Sequence, residues 1–200
     1  MTEYDISELG DTLIRDYIDL FSTYSFKNRL YGQISLHVIL GQAISRPEFD
    51  IDLNDPHHVK SIPVYYTMGS RVLDTRIHML LIKPQGTGKG AGYGFVKKVA
   101  EEVGLKFQSL TESTDAGLIG TIDSDGNIIE GLLATADIVG MEEASVLFDL
   151  TSDFSKKNMT YMQITMNPVT DSSCYISKKL GSQLIEFRPH ASFLLSLIHI

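Results

Sequence analysis

Ile6, Leu9, Leu13, Ile14, Tyr17, Ile18 and Phe21 recur at three- and four-residue steps. That is the spacing of one helix face, and it predicts an amphipathic helix over 7–23. Leu30 to Ile44 predicts a second helix. The pattern then breaks. Pro47, Pro56 and Pro63, with Asp-rich turns between them, predict a long connection to Arg71 with one short strand at Val64-Tyr65-Tyr66. From Ile77 the texture changes to continuous apolar runs alternating with helical spacing. Strands are expected at Ile77 to Ile82, Leu105 to Leu110, Ile138 to Met141 and from Ala191 to Leu194. A helix is expected from Tyr93 to Val103, closed by Gly104, and another from Ser155 to Met166. Two hairpins interrupt the alternation. One joins Gly117–Ile122 to Ile128–Leu133 across Asp123-Ser-Asp-Gly-Asn127. The other joins Cys174–Ser177 to Gln183–Phe187 around Lys178-Lys-Leu-Gly181. Strands alternating with helices predict an α/β fold with a mostly parallel sheet flanked by helices and two β-hairpin insertions.

Composition narrows this only a little. The chain has 200 residues, 43% of them hydrophobic, which is enough for one sizeable core. A net charge of −8 means that any nucleic-acid contact must be local. The single cysteine, Cys174, excludes an intramolecular disulfide and suits a reducing compartment. No signal peptide and no membrane span is expected, so the sequence reads as soluble, cytoplasmic and without a membrane partner. The last six residues, Leu195-Ser-Leu-Ile-His-Ile200, are what a common transposase-derived sequencing adapter encodes when read in frame. They are expected to be a non-native tail, 195–200, on an N-terminal fragment.

Candidate chemistry begins where the first long strand ends. Lys83-Pro-Gln-Gly-Thr-Gly-Lys-Gly90 has the strand–loop–helix setting of a phosphate cradle. In such a loop, successive backbone N–H groups line one concavity and a lysine reaches the β and γ phosphates. The cradle residues are Pro84, Gln85, Gly86, Thr87, Gly88, Lys89, Gly90 and Ala91. The pattern G-x-x-x-x-G-K-[ST] is broken twice, by Lys83 at the first glycine and by Gly90 at the hydroxyl position. Glycine offers no oxygen to Mg²⁺, so weakened metal control is expected, with a serine at 90 returning the ligand. A nucleotide site also needs a carboxylate for the metal and another to orient water. Ile138-Val-Gly-Met-Glu-Glu143 supplies a buried strand ending in Glu142 and Glu143. Asp137 competes, but it sits at the wrong end of that strand.

Several stretches resemble the minichromosome maintenance (MCM) replicative helicases. Ser113-Thr-Asp-Ala-Gly-Leu-Ile-Gly-Thr-Ile122 is similar to their S-[ST]-x-A-G-L-T-A-x-V stretch. Leu133-Ala-Thr-Ala-Asp-Ile-Val-Gly-Met-Glu-Glu143 is similar to L-A-D-G-G-I-C-C-I-D-E. Ile176-Ser-Lys178 resembles their hairpin I-A-K, and Leu30-Tyr-Gly32 their I-Y-G helix start. The resemblance implies a partial P-loop AAA+ ATPase domain over 28–194, preceded by an N-terminal helix in 1–27. It implies ATP and Mg²⁺ as cofactors, and a hexameric homo-oligomer translocating on DNA. Lys89 would be the catalytic lysine, Glu142 the metal-side acid and Glu143 the catalytic base. Lys178 and Lys179, at the hairpin tip, would touch single-stranded DNA.

Glu142 stands where the family has Asp, and no Cys or His cluster is present. A divergent viral or mobile-element relative, working inside a host cell, fits these departures. His57-His58 read as a solvated turn, Cys174 as a core strand residue, and Lys97-Lys98 and Lys156-Lys157 as solvated helix faces. Two other functions stay open: a nucleotide-binding assembly module with weak hydrolysis, and a remodeller of proteins.

Overall fold

The computed structural model describes residues 6–25, 28–45, 48–51, 59–62, 65–68, 71–110, 115–144, 175–180 and 183–198. The chain opens with two helices, α1 (Ile6–Tyr24) and α2 (Arg29–Ser45). Two antiparallel ribbons follow, β1 (Glu48–Ile51) with β2 (Val59–Ile62), and β3 (Tyr65–Met68) with β4 (Arg71–Asp74). The connection expected to hold one short strand therefore holds four. Four-residue strands of mixed composition such as these are too short for a periodic signal, and only pairing stabilises them.

The centre is a four-stranded parallel sheet. Its strands are β5 (Met79–Lys83), β6 (Phe107–Ser109), β9 (Ile138–Met141) and β12 (Ser192–Ile198), in the spatial order β5-β12-β9-β6. Helix α3 (Lys89–Glu102) joins β5 to β6. Between β6 and β9 come α4 (Asp115–Ile119), the hairpin β7 (Gly120–Ile122) with β8 (Ile128–Glu130), and α5 (Leu132–Thr135). The second hairpin, β10 (Ile176–Leu180) with β11 (Gln183–Phe187), precedes β12.

Each strand face serves a different core. Ile138 and Leu194 face a cluster formed by α1, α2 and α3, in which Phe21, Tyr31, Val38, Tyr93 and Val96 are buried. Val139, Met141, Phe193 and Leu195 face the other cluster, with Leu118, Leu133, Ile176 and Ile185. Alternate residues thus go to opposite sides, and covering both sides makes these strands apolar throughout. Helix α1 is part of the first core: Phe21 packs edge-on against Tyr31 and Phe95, with ring centroids 4.9 and 5.5 Å apart. Buried polar groups pin the elements. Gln42 on α2 donates to the His190 carbonyl (2.8 Å) and accepts from the Ser192 hydroxyl (2.7 Å).

Several expectations shift. Helix α3 begins at Lys89 rather than Tyr93, although Gly90, Gly92 and Gly94 lower its propensity. Buried Tyr93, Val96 and Ala100 supply the packing that outweighs that cost. The strand expected from Gly117 starts only at Gly120, because Leu118 and Ile119 both go into the core as one helical turn. The helix expected over Ser155–Met166 lies outside the described residues, as do the histidines at 57 and 58 and Cys174. Residues 195–198, read from sequence as foreign, extend β12 beside β5, with Leu195 opposite Leu80 and Ser196 opposite Leu81. An alternating apolar stretch pairs in this way whatever its origin. Ser196 is 2% exposed, and its hydroxyl has no hydrogen-bond partner. No helix among the described residues is long and apolar enough to cross a membrane.

Candidate functional site

Parallel strands end on one edge of the sheet, and ligands of open α/β sheets bind outside their carboxyl ends. Here that edge carries the loop after β5 and the acidic pair after β9. Pro84, Gln85 and Gly86 are exposed, and Thr87 and Gly88 are half-buried. The Thr87 hydroxyl donates to the Pro84 carbonyl (2.8 Å), which closes the loop on itself. Gly86 and Gly88 have φ of 76° and 78°, a left-handed backbone that a side chain would strain. Gly88 caps α3 without any side-chain bond. The N–H groups at the start of a helix have no intrahelical acceptor, so those of the first turn of α3 face the loop with the helix's positive end behind them.

Lys89 is only 7% exposed. Its Nζ donates to the Lys83 carbonyl at 2.7 Å, holding the ammonium across the mouth of the loop. The contact uses the backbone of Lys83, so the unusual side chain at that position does not enter it. Gly90 follows, half-buried, and Ala91 is exposed.

Glu142 meets this loop. An ideal Cβ built on Gly90 would stand 2.3 Å from Glu142 Oε1, closer than any real contact, so the carboxylate occupies the space of the absent side chain. A serine at 90 would share this space with the end of the exposed Glu142 side chain, which has to shift to admit it. Glu143 is half-buried, and the turn is tied down where Ala144 N donates to the Ser196 carbonyl (2.6 Å). Asp137 is indeed at the other edge, and its carboxylate accepts from Lys106 N (2.6 Å), clamping β9 to the start of β6.

Two tyrosines that sequence reasoning left out stand near Glu142. Burial raises the Tyr31 phenol well above the tyrosine range, and Tyr17, Tyr93 and Glu142 add to it. Tyr93 is raised by burial first; its hydroxyl's bond to Ser109 (3.2 Å) works against this and Glu142 adds to it. Their signal in the sequence was slight, an aromatic beside a glycine in Tyr31-Gly32 and Gly92-Tyr93. On the outer side of α3, an apolar groove of about 450 Å³ runs beside Ala91, lined by Leu20, Tyr24, Phe95 and Val99.

The two lysines expected at a hairpin tip are inside β10, with Lys178 opposite Ile185 and Lys179 opposite Leu184. Adjacent strand residues point to opposite faces. Lys178 is half-buried, and its Nζ donates to the Gly120 carbonyl (3.4 Å) on the first hairpin. Lys179 is exposed. Gln183 Nε2 makes a second tie to the first hairpin, at the Gly126 carbonyl (3.1 Å). The structure thus brings residues 84–91 and Glu142 together and places both lysines on the hairpin pair.

The adjacent carboxylates and the loop suit Mg²⁺ with a polyphosphate. That ion takes one or two carboxylates, keeps several waters and shares phosphate oxygens. Glu142 already reaches the position from which position 90 would contribute. Compared with known proteins, the chain matches no family model and no curated sequence.

Proposed function

We propose that this chain binds ATP with Mg²⁺ in the loop 84–91, as a P-loop NTPase module of the AAA+ type. One observation carries the reading: the Glu142 carboxylate lies against Gly90, so the acidic strand end and the glycine-rich loop form one site. The strand order supports it, because β12 lies between β5 and β9, so that the loops following β5 and β9 flank it.

The residues divide the work. The uncapped amides from Gly86 to Ala91 bind phosphate oxygens. Lys89 exchanges the Lys83 carbonyl for a phosphate, trading a neutral acceptor for a charged one. Glu142 is the carboxylate for the metal, and Glu143 orients the attacking water. When bound, Mg²⁺ neutralises charge on the transferred phosphoryl group.

In its fuller form the proposal is an MCM-like subunit of a hexameric helicase or translocase. The two tied hairpins would meet single-stranded DNA in its channel, with Lys179 as the exposed cation and Lys178 bracing the pair. A second reading, a nucleotide-binding assembly module with weak hydrolysis, is favoured by one observation. The β7–β8 turn carries Asp123 and Asp125, both of which repel phosphate, and Lys178 is engaged by Gly120.

Calorimetric titration of ATP into the chain and into Lys89→Ala tests the core of the proposal. A charge-assisted contact contributes about 1.5–3 kcal/mol, so the variant's Kd is expected to rise tenfold or more. Equal affinities would remove the cradle from the account.

A further inference from the structure

Two departures from the common loop pattern touch each other. Position 90 lacks a side chain, and position 142 carries glutamate where the resemblance leads one to expect aspartate, longer by one methylene. The Glu142 Oε1 atom stands 2.3 Å from where the Cβ of residue 90 would be, and its carboxyl carbon 3.4 Å away. These are the nearest side-chain atoms to that point. The extra methylene of one residue thus fills the space released by the other.

We propose that Gly90 and Glu142 are a compensating pair. The carboxylate on its longer arm takes the place of a hydroxyl at position 90 and is the chain's own ligand for the divalent cation of the bound nucleotide. This rests on the nucleotide-binding reading above and adds to it which oxygen holds the metal, and what a glycine at position 90 makes room for.

The Glu142 side chain is exposed, and what is fixed beneath it is the backbone. Below, the backbone of 142–144 is fixed to β12 by Ala144 N on the Ser196 carbonyl. The pairing gives an order of tolerance. Serine or alanine at 90 collides with the glutamate, whereas aspartate at 142 leaves room for both but reaches less far. Neither single change is neutral, and the two together are.

The test is a mutant cycle on the full chain: wild type, Gly90→Ser, Glu142→Asp and the double variant. Two readouts are needed, Mn²⁺ binding by electron paramagnetic resonance in the presence of ATP, and the melting temperature without ligand. Contacting residues couple strongly enough that each single change is expected to weaken Mn²⁺ binding about tenfold, with the double variant returning to within about threefold of wild type. Gly90→Ala separates packing from ligation. It is expected to lower the melting temperature in the wild-type background and to leave it unchanged beside Glu142→Asp, without restoring Mn²⁺ affinity there. Losses that simply add in the double variant would overturn the pairing while leaving the cradle standing. If ATP affinity is also indifferent to Lys89→Ala, the nucleotide reading itself falls, and the pairing with it.

Discussion

At the scale of single residues, the energetics turn on groups that are either fully paired or not paired at all. Asp123, at the β7–β8 turn, is the paired case. Its carboxylate accepts from Asn127 Nδ2 (3.0 Å), Asn127 N (2.7 Å) and Asp125 N (2.9 Å). The Asn127 side chain first, then its backbone, hold the carboxyl below the usual aspartate range. A depressed folded pKa means the turn's support is complete above the ordinary carboxylate range and is lost as pH falls through the folded value. Carbonyl NMR titration is expected to place Asp123 lower than in an unfolded peptide, and Asn127→Ala to move it back up. Ser196 is the unpaired case. A buried hydroxyl without a partner costs about 1–3 kcal/mol, so Ser196→Ala is expected to stabilise the chain by about 1 kcal/mol in urea unfolding. Unchanged or lower stability would mean that the hydroxyl is satisfied in solution.

At this scale the shape of the loop was legible in the sequence. Gly86 and Gly88 take the left-handed backbone that favours glycine, and Lys89 bonds back onto the carbonyl of Lys83. The relation of Gly90 to Glu142 was not legible, since 52 positions separate them and only the pairing of β5 and β9 on either side of β12 makes them neighbours. Read singly, Gly90 looks like a loss and Glu142 like a tolerated change. Their contact gives each a reason.

Among elements, long-range ties matter more than propensity. Arg76, in the loop before β5, closes a local ion pair and reaches across to the loop before β12. Arg76 Nε bonds the Asp74 carboxylate at 2.5 Å, its side chain is 2% exposed, and Nη1 donates to the Pro189 carbonyl (3.1 Å). Breaking a buried pair from one side leaves an uncompensated charge. Arg76→Ala is therefore expected to cost about 3–5 kcal/mol in denaturant unfolding. A loss below about 1 kcal/mol would show that water reaches Asp74. Strands β9 and β12 were legible because burial on both faces makes them apolar, whereas β5 leaves Leu80 and Ile82 exposed. The register of β10 was harder to read. Lys178-Lys179 looks like a turn, yet Lys178 continues the inward row of Ile176, and its long stem delivers the charge to Gly120.

For the whole molecule, the question is whether an acidic chain engages a polyanion. The described hairpins and the residue after them carry four carboxylates, Asp123, Asp125, Glu130 and Glu186, and three cations, Lys178, Lys179 and Arg188, so a hold on single-stranded DNA there is expected to be weak and salt-sensitive. Each neutralised phosphate contributes a slope of about −0.7 on single strands. Lys179→Ala is expected to flatten the salt dependence by about one such contact. Lys178→Ala should leave it unchanged and loosen the tie between hairpins instead. Absence of binding at every salt concentration would favour the assembly-module reading. Turnover by the 200-residue chain is expected to be negligible even with ATP bound. On the proposed ring reading, hydrolysis needs an arginine from a neighbouring subunit, and such a finger contributes about 10³–10⁵ in rate.

The most direct test of the central claim maps ATP onto the backbone, residue by residue. In a ¹⁵N-labelled sample titrated with ATP and Mg²⁺, the amides of Gly86, Thr87, Gly88, Lys89 and Gly90 are expected to shift most. Glu142 should follow only when the metal is present, and the hairpin amides should not move. An unmoved loop, with the shifts gathered instead along the groove between α1 and α3, would contradict the account.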